Sequence, residues 1–185
     1  MSNWVRTFTY NLLYGFHRPS FSISIHRASD RTEDAILMAK NTIILSIRPQ
    51  HAAKIFSGLK TVELRRSRPK NLGNGAVALI YITSPTKTLA GAFKVTRVIE
   101  KPLKDLWKMV QKQAGLTYRE FKQYYEGVST GTAIFFQKVW SFPEPLSLED
   151  LRSELMSFLP PQAYRYAKVN ELQAPGVARL LSNIC

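Results

Sequence analysis

Apolar positions along this chain follow two periods, and they mark out its elements. Thr42 to Ile47 (TIILSI) is a β-branched run, and Pro49 followed by QHAAKIFSG reads as a short helix with proline in its first turn and Gly58 as its stop. Lys60 to Arg65 (KTVELR) alternates as a strand. A polar loop, RSRPKNLGNG, leads into GAVALIYITSP, whose unbroken apolar run predicts a strand covered on both faces. Leu89 to Val98 (LAGAFKVTRV) predicts another. Leu103, Leu106, Trp107, Val110 and Ala114 recur at helical spacing. Thr117 with Glu120 makes a capping-box start for a second helix through Phe121, Tyr124 and Tyr125, so the two form a hairpin. Thr132 to Val139 (TAIFFQKV) returns as a strand. Ser147-Leu-Glu-Asp then opens a short helix, Pro160-Pro161 breaks the chain, and Val177 to Leu181 forms a last turn.

Five to six short strands with helices between them predict an α+β fold: a small mixed β-barrel with a short helix after its first strand and an inserted helical hairpin. A Rossmann sheet would need regular βαβ alternation. The one glycine cluster, Gly73-Asn-Gly75, fits neither G-x-G-x-x-G nor G-x-x-x-x-G-K-[ST], so dinucleotide and P-loop chemistry have no support.

The first 37 residues differ from the rest, with Trp4, Phe8, Tyr10 and Phe16 early and no acid before Asp30. A secretory signal matches poorly because Asn11 and Tyr14 interrupt the apolar stretch, and a transit peptide matches only slightly better. Residues 1–37 are expected to be a weakly ordered arm or an over-extended start, with the fold beginning near Asn41 and residues 38–185 forming one domain with a C-terminal helical tail.

The 185 residues suit one domain, and 45% apolar with 21% charged residues suits a folded one. Charge changes the picture more. Twenty-six Lys and Arg against 13 Asp and Glu give a net charge of +13, a surface that attracts polyanions and puts nucleic acid first among partners. The single cysteine, Cys185, permits no internal disulfide or thiolate cluster, and His17, His26 and His51 have no metal-binding spacing, so no metal and no cofactor are expected. The longest purely apolar run, Ala76 to Ile82, is too short for a bilayer, which needs roughly 18 to 20 residues. A cytoplasmic protein without a membrane partner is expected.

On strand periodicity Val62 and Leu64 share one side of KTVELR, while Thr61, Glu63 and Arg65 share the other. Glu63 and Arg65 are then either a cleft-lining pair or a solvated i, i+2 ion pair of little energetic weight. Arg65, Arg66, Arg68 and Lys70 follow within six positions without an acid, in a loop suited to clamping phosphate. Lys101, Lys104, Lys108 and Lys112 form a basic stripe opposite a Leu-Trp face. Tyr81, Tyr118, Tyr124, Tyr125, Tyr164 and Tyr166 are candidate stacking platforms, most of them expected in the core. His51 reads as a plain helix-surface residue.

The segment LSIRPQHAAKIFSGLKTVELRRSRP resembles the ASCH family, a branch of the PUA-like β-barrels, through a strand, a short helix and then G-x-K-x-x-E-x-R, here Gly58, Lys60, Glu63 and Arg65. VALIYITSPTKTLAGAFKV, EFKQYYEG and PPQAYRY extend the resemblance to about Ile43–Tyr166. It implies a cleft lined by the Lys-Glu-Arg strand that binds nucleic acid, RNA more than DNA, or a modified nucleotide. Lys60, Glu63, Arg65, Arg66, Arg68, Lys70, Tyr81, Ser84, Tyr164 and Arg165 are its expected ligand-binding residues. One enzymatic branch of the superfamily, the N4-acetylcytidine amidohydrolases, uses a Lys, a Thr and a Glu. Here Lys60 is kept, Glu63 stands in place of the threonine, and the carboxylate position falls near Ala114, so that activity is not expected. The alternative to a binding module is a nucleotide- or RNA-directed hydrolase, a ribonuclease or an amidohydrolase, with Glu63 as general base and Lys60 or Arg65 stabilising charge.

Overall fold

The strands and helices follow in the order β1 (Thr42–Ile47), α1 (Pro49–Phe56), β2 (Val62–Arg65), β3 (Val77–Ile82), β4 (Thr88–Pro102), α2 (Leu103–Val110), α3 (Tyr118–Tyr124), β5 (Thr130–Ser147), α4 (Leu148–Glu154), β6 (Tyr164–Tyr166), α5 (Val169–Gln173) and α6 (Pro175–Ser182). The structure is a computed structural model that describes residues 36–182 and Ile184. The arm expected over residues 1–37 lies outside the described residues, apart from its last two positions.

All six strands form one sheet, in the order β2-β5-β4-β3-β1-β6. Only β1 and β3 run parallel, joined by a crossover through α1 and β2. The β4–β5 ladder shifts register at three places, Leu89/Gly91, Phe93/Lys94 and Val95/Arg97. Such irregularities bend a strand and increase its twist, and the sheet curls into a half-barrel. The curl is deep enough for Arg65 on edge strand β2 to donate a hydrogen bond of 3.1 Å to the Ser46 carbonyl on β1. The expected small barrel is therefore present, closed on this side by a side chain rather than a strand ladder.

Strand alternation divides the core. Inside the curl lie Ile43, Leu45, Ile80, Phe93 and Ile134, covered by Ala52 and Ile55 of α1. On the other face Ile44, Leu79 and Ala92 meet Leu151, Phe158, Leu172 and Leu180 of the C-terminal segment. A third cluster packs Val62, Leu64 and Ala133 against Leu106, Val110, Phe121 and Tyr125, seating the helical hairpin on β2 and β5. Both predicted N-caps form: Thr117 Oγ1 accepts from the Glu120 backbone N–H while Glu120 accepts from Thr117, and Ser147 and Asp150 repeat the arrangement.

Four details depart from the sequence reading. A helical turn at residues 36–41 precedes β1 and buries Ala39 in the core, so packing begins before Asn41. β4 and β5 are longer than their clean apolar segments because bulges and the insert-facing ends carry pairing onward. Tyr164–Tyr166 is a strand pairing antiparallel with β1, and α5 is an extra short helix. Among the described residues no helix is long and apolar enough to cross a membrane.

Candidate functional site

β2 is held between the turn at Gly58 (φ +76°) and the basic loop, and its alternation works as the pattern requires. Val62 and Leu64 point into the helical insert's cluster. Glu63 and Arg65 point to the opposite face, beside Ile134 and Thr132, their register partners on β5. Arg65 Nη2 lies 3.0 Å from Glu63 Oε1, and Lys60 Nζ lies 3.3 Å from Glu63 Oε2. Lys60 Nζ also donates to the Ala114 carbonyl (2.9 Å), and Arg65 Nη2 to that of Ser46. Lys60, Glu63 and Arg65 are 2%, 7% and 7% exposed. This is no solvated ion pair. It is a buried triad with two cations for one carboxylate, and removing charge from water is expensive unless the charge is matched.

Three buried side-chain polar atoms among the described residues have no hydrogen-bond partner: Arg65 Nε, Thr132 Oγ1 and His51 Nδ1. Arg65 and Thr132 are register neighbours, and His51 on α1 feels the charges of Lys60 and Glu63. Each of the three leaves hydrogen-bonding capacity unused in a buried setting. Burial and then the Lys60 charge push the His51 pKa below 6.5, with Glu63 opposing. His51 is thus neutral at pH 7. Because the unfolded imidazole takes up a proton near pH 6.5 and the folded one only lower, stability is expected to fall as pH drops below about 6.5. His51→Gln should flatten that dependence in urea melts between pH 7.5 and 5.5, and an unchanged slope would refute the burial of this imidazole.

Second-layer contacts fix the strand. Tyr125 donates from its hydroxyl to the carbonyls of Arg65 (3.2 Å) and Thr132 (3.3 Å), and Tyr124 to that of Leu64. Burial raises the pKa of both phenols.

The other expected residues are spread around this buried triad. Arg66, Arg68 and Lys70 are exposed on the loop leaving β2, with Arg66 Nη2 donating to the Glu126 carbonyl at 2.9 Å. Tyr164 is half-buried against the inner cluster, on the same side as Leu45. Tyr81 and Arg165 face the other way. Tyr81 packs in the outer cluster beside Phe158, and Arg165 makes a bidentate pair with Glu171 (2.6 and 2.7 Å) while lying over the Phe158 ring. Ser84 is exposed, just before the cis Pro85. Lys104, Lys108 and Lys112 are exposed along and just beyond α2. The structure thus brings together Lys60, Glu63 and Arg65, adds His51, Thr132 and Ser46, and leaves Tyr81 and Arg165 outside. Ala114 offers Lys60 its backbone carbonyl. Among the described residues no group of three His, Cys, Asp or Glu is placed to hold a metal ion.

The ASCH domain family model matches residues 45–141, and the chain belongs to that family. It is 28% identical over 130 residues to the ASCH domain-containing ribonuclease of Zymomonas mobilis, covering 70% of this chain and 86% of that protein. The crystal structure of ASCH from Zymomonas mobilis superimposes with a TM-score of 0.68 at 28% identity, over 73% of this chain and 93% of that one. A stretch of 128 residues is 30% identical to the large ribosomal subunit protein uL22 of Ureaplasma parvum. It covers 69% of this chain but only 39% of that longer protein.

Proposed function

We propose that this ASCH-domain chain is an RNA-binding module whose Lys60–Glu63–Arg65 pocket holds a phosphate or the polar edge of a modified nucleotide. The observation that carries this is the buried excess of cations: two against one carboxylate, with Arg65 Nε still unpaired. An anion would complete the charge balance that Glu63 completes only in part. Arg66, Arg68 and Lys70 supply further positive charge where a strand would leave the pocket, and Tyr164 offers a half-buried ring. RNA is favoured over DNA by the kind of proteins the relatives are, a ribonuclease and a ribosomal protein. Affinity for single-stranded RNA should fall about 50-fold between 50 and 200 mM salt if four phosphates are neutralised. Arg65→Ala should cost about 1–3 kcal/mol of that affinity and reduce the salt slope by about one. Fluorescence anisotropy at graded salt measures both, and a salt-insensitive affinity would remove the reading.

The Zymomonas relative favours a second reading, RNA hydrolysis in the same pocket. Both oxygens of Glu63 are engaged by cations. His51, neutral at pH 7, is the proton acceptor in that reading, with Lys60 and Arg65 stabilising charge on the phosphate. Incubation with labelled RNA decides between the readings. Cleavage lost in His51→Gln with binding retained makes the protein an enzyme, and Arg65-dependent binding without cleavage makes it a binder.

A further inference from the structure

The helical insert carries a groove of 880 Å³ whose walls include Lys104, Tyr118, Arg119 and Lys122, above a floor containing Phe121 and Tyr125. It lies across β2 from the buried triad, since Tyr125 reaches under the strand to the Arg65 and Thr132 carbonyls. Three cations face a single acid, Glu126, so the groove complements an anion. Lys108 and Lys112, also exposed, extend the positive field along α2.

Tyr118 gives the groove a second property. The residue is 55% exposed at the start of α3, yet its ring is held from behind. Trp107 lies 5.4 Å from it, Phe121 4.9 Å from Trp107, and Tyr125 4.8 Å from Phe121, an aromatic chain running from the surface to the strand. A ring braced in this way loses little freedom when a flat partner stacks on its open face. Cations beside an exposed, braced aromatic ring are what a single strand needs, phosphates on one and bases on the other. A duplex would keep its bases away from the ring. An acidic peptide would leave the ring without a flat partner.

The groove also connects to the pocket. Arg66 directly follows Arg65, and its guanidinium donates to the carbonyl of Glu126 on the groove wall. We infer that the groove is a second RNA site. It takes single-stranded nucleotides beyond the one held at Arg65, with a base on Tyr118 and phosphates on Lys104, Arg119 and Lys122. This rests on the RNA-binding reading and extends it to a strand that passes around β2 by way of Arg66.

The test compares labelled single-stranded RNAs of about 4 and about 16 nucleotides by anisotropy, lengths at the two ends of the usual single-strand site size. Tyr118→Ala should weaken the longer RNA roughly 5- to 150-fold, the span found for loss of one stacked base. Tyr118→Phe should keep its affinity, because the ring and not the hydroxyl matters. Lys104→Ala with Lys122→Ala should reduce the longer RNA's salt slope by about two. The tetranucleotide, held by the pocket, should respond only to Arg65→Ala. All of the groove residues changed are exposed, and thermal melts check that each variant folds. If the longer RNA ignores the groove substitutions but weakens with Arg65→Ala, the groove inference is wrong and the pocket reading stands. If it ignores both sets, both are wrong. Groove substitutions that release polyglutamate and leave RNA binding untouched would assign the groove to an acidic polypeptide and overturn the inference.

Discussion

Replacing Glu63 with glutamine is expected to lower the free energy of unfolding by about 3–5 kcal/mol, because removing one partner of a buried ion pair leaves uncompensated charge in the interior. Viewed along the sequence, the change is mild, since the amide keeps the side chain's shape and one acceptor. Burial reverses that judgement. Lys60 and Arg65 are 2% and 7% exposed, and glutamine would leave both with a neutral neighbour whose NH₂ group points a donor at one of them. The urea midpoint should drop with the m-value unchanged. The variant also gives a direct reading of anion affinity. With the carboxylate gone the pocket holds two cations and no acid of its own, so inorganic phosphate should stabilise Glu63→Gln more than the wild type. A ligand at 100 times its Kd adds about 2.7 kcal/mol. A midpoint that barely moves would show that the triad is not isolated from water, and a lowered midpoint that phosphate does not recover would show that it is not an anion site.

That contrast shows how far the residues could be read without the fold. Alternation in KTVELR is sufficient to put Glu63 and Arg65 on one face, and the structure joins them at 3.0 Å. Alternation cannot say what covers a face. Burial of the pair depends on a curl that brings Ser46 of β1 across to β2, and that curl comes from register shifts between β4 and β5 that no local pattern announces. Thr132 enters the site only through its register with Arg65, and His51 only through the packing of α1, so neither belongs to a motif. In the sequence Tyr164 and Tyr166 are stacking candidates and Arg165 between them a ligand-binding one. As a strand paired to β1, this run sends Tyr164 and Arg165 to opposite faces, and Arg165 is taken up by Glu171. The sequence signal was present there, in the same period-2 rule, but three residues are too few to show it. Helix starts were the most legible feature. A capping box is a purely local interaction, and both Thr117–Glu120 and Ser147–Asp150 form it.

Gly91→Ala should cost about 3 kcal/mol of stability, the upper end for inserting a methyl group into a filled interior. Glycine inside a strand weakens it and commonly marks a close approach of another group. At Gly91 a Cβ would collide with the Trp140 carbonyl oxygen and stand 2.5 and 2.8 Å from the Cε1 and Cζ atoms of Phe56. The carbonyl belongs to β5, so it yields only if β5 moves against β4. Phe56 ends α1, so its displacement tilts the helix that buries Ala52 and Ile55 and carries His51. The damage should therefore reach the pocket without altering any residue in it. Raised exposure of α1 relieves the burial that lowers the His51 pKa, and the imidazole titration followed by NMR should move up toward 6.5. Gly73→Ala is the control: a Cβ there meets nothing within 4 Å, and its effect should stay within about 0.5 kcal/mol. Equal stability of the two variants would mean that α1 does not rest on β4 at this glycine. A destabilised Gly91→Ala with an unmoved His51 titration would show that the pocket is insulated from the helix that roofs it.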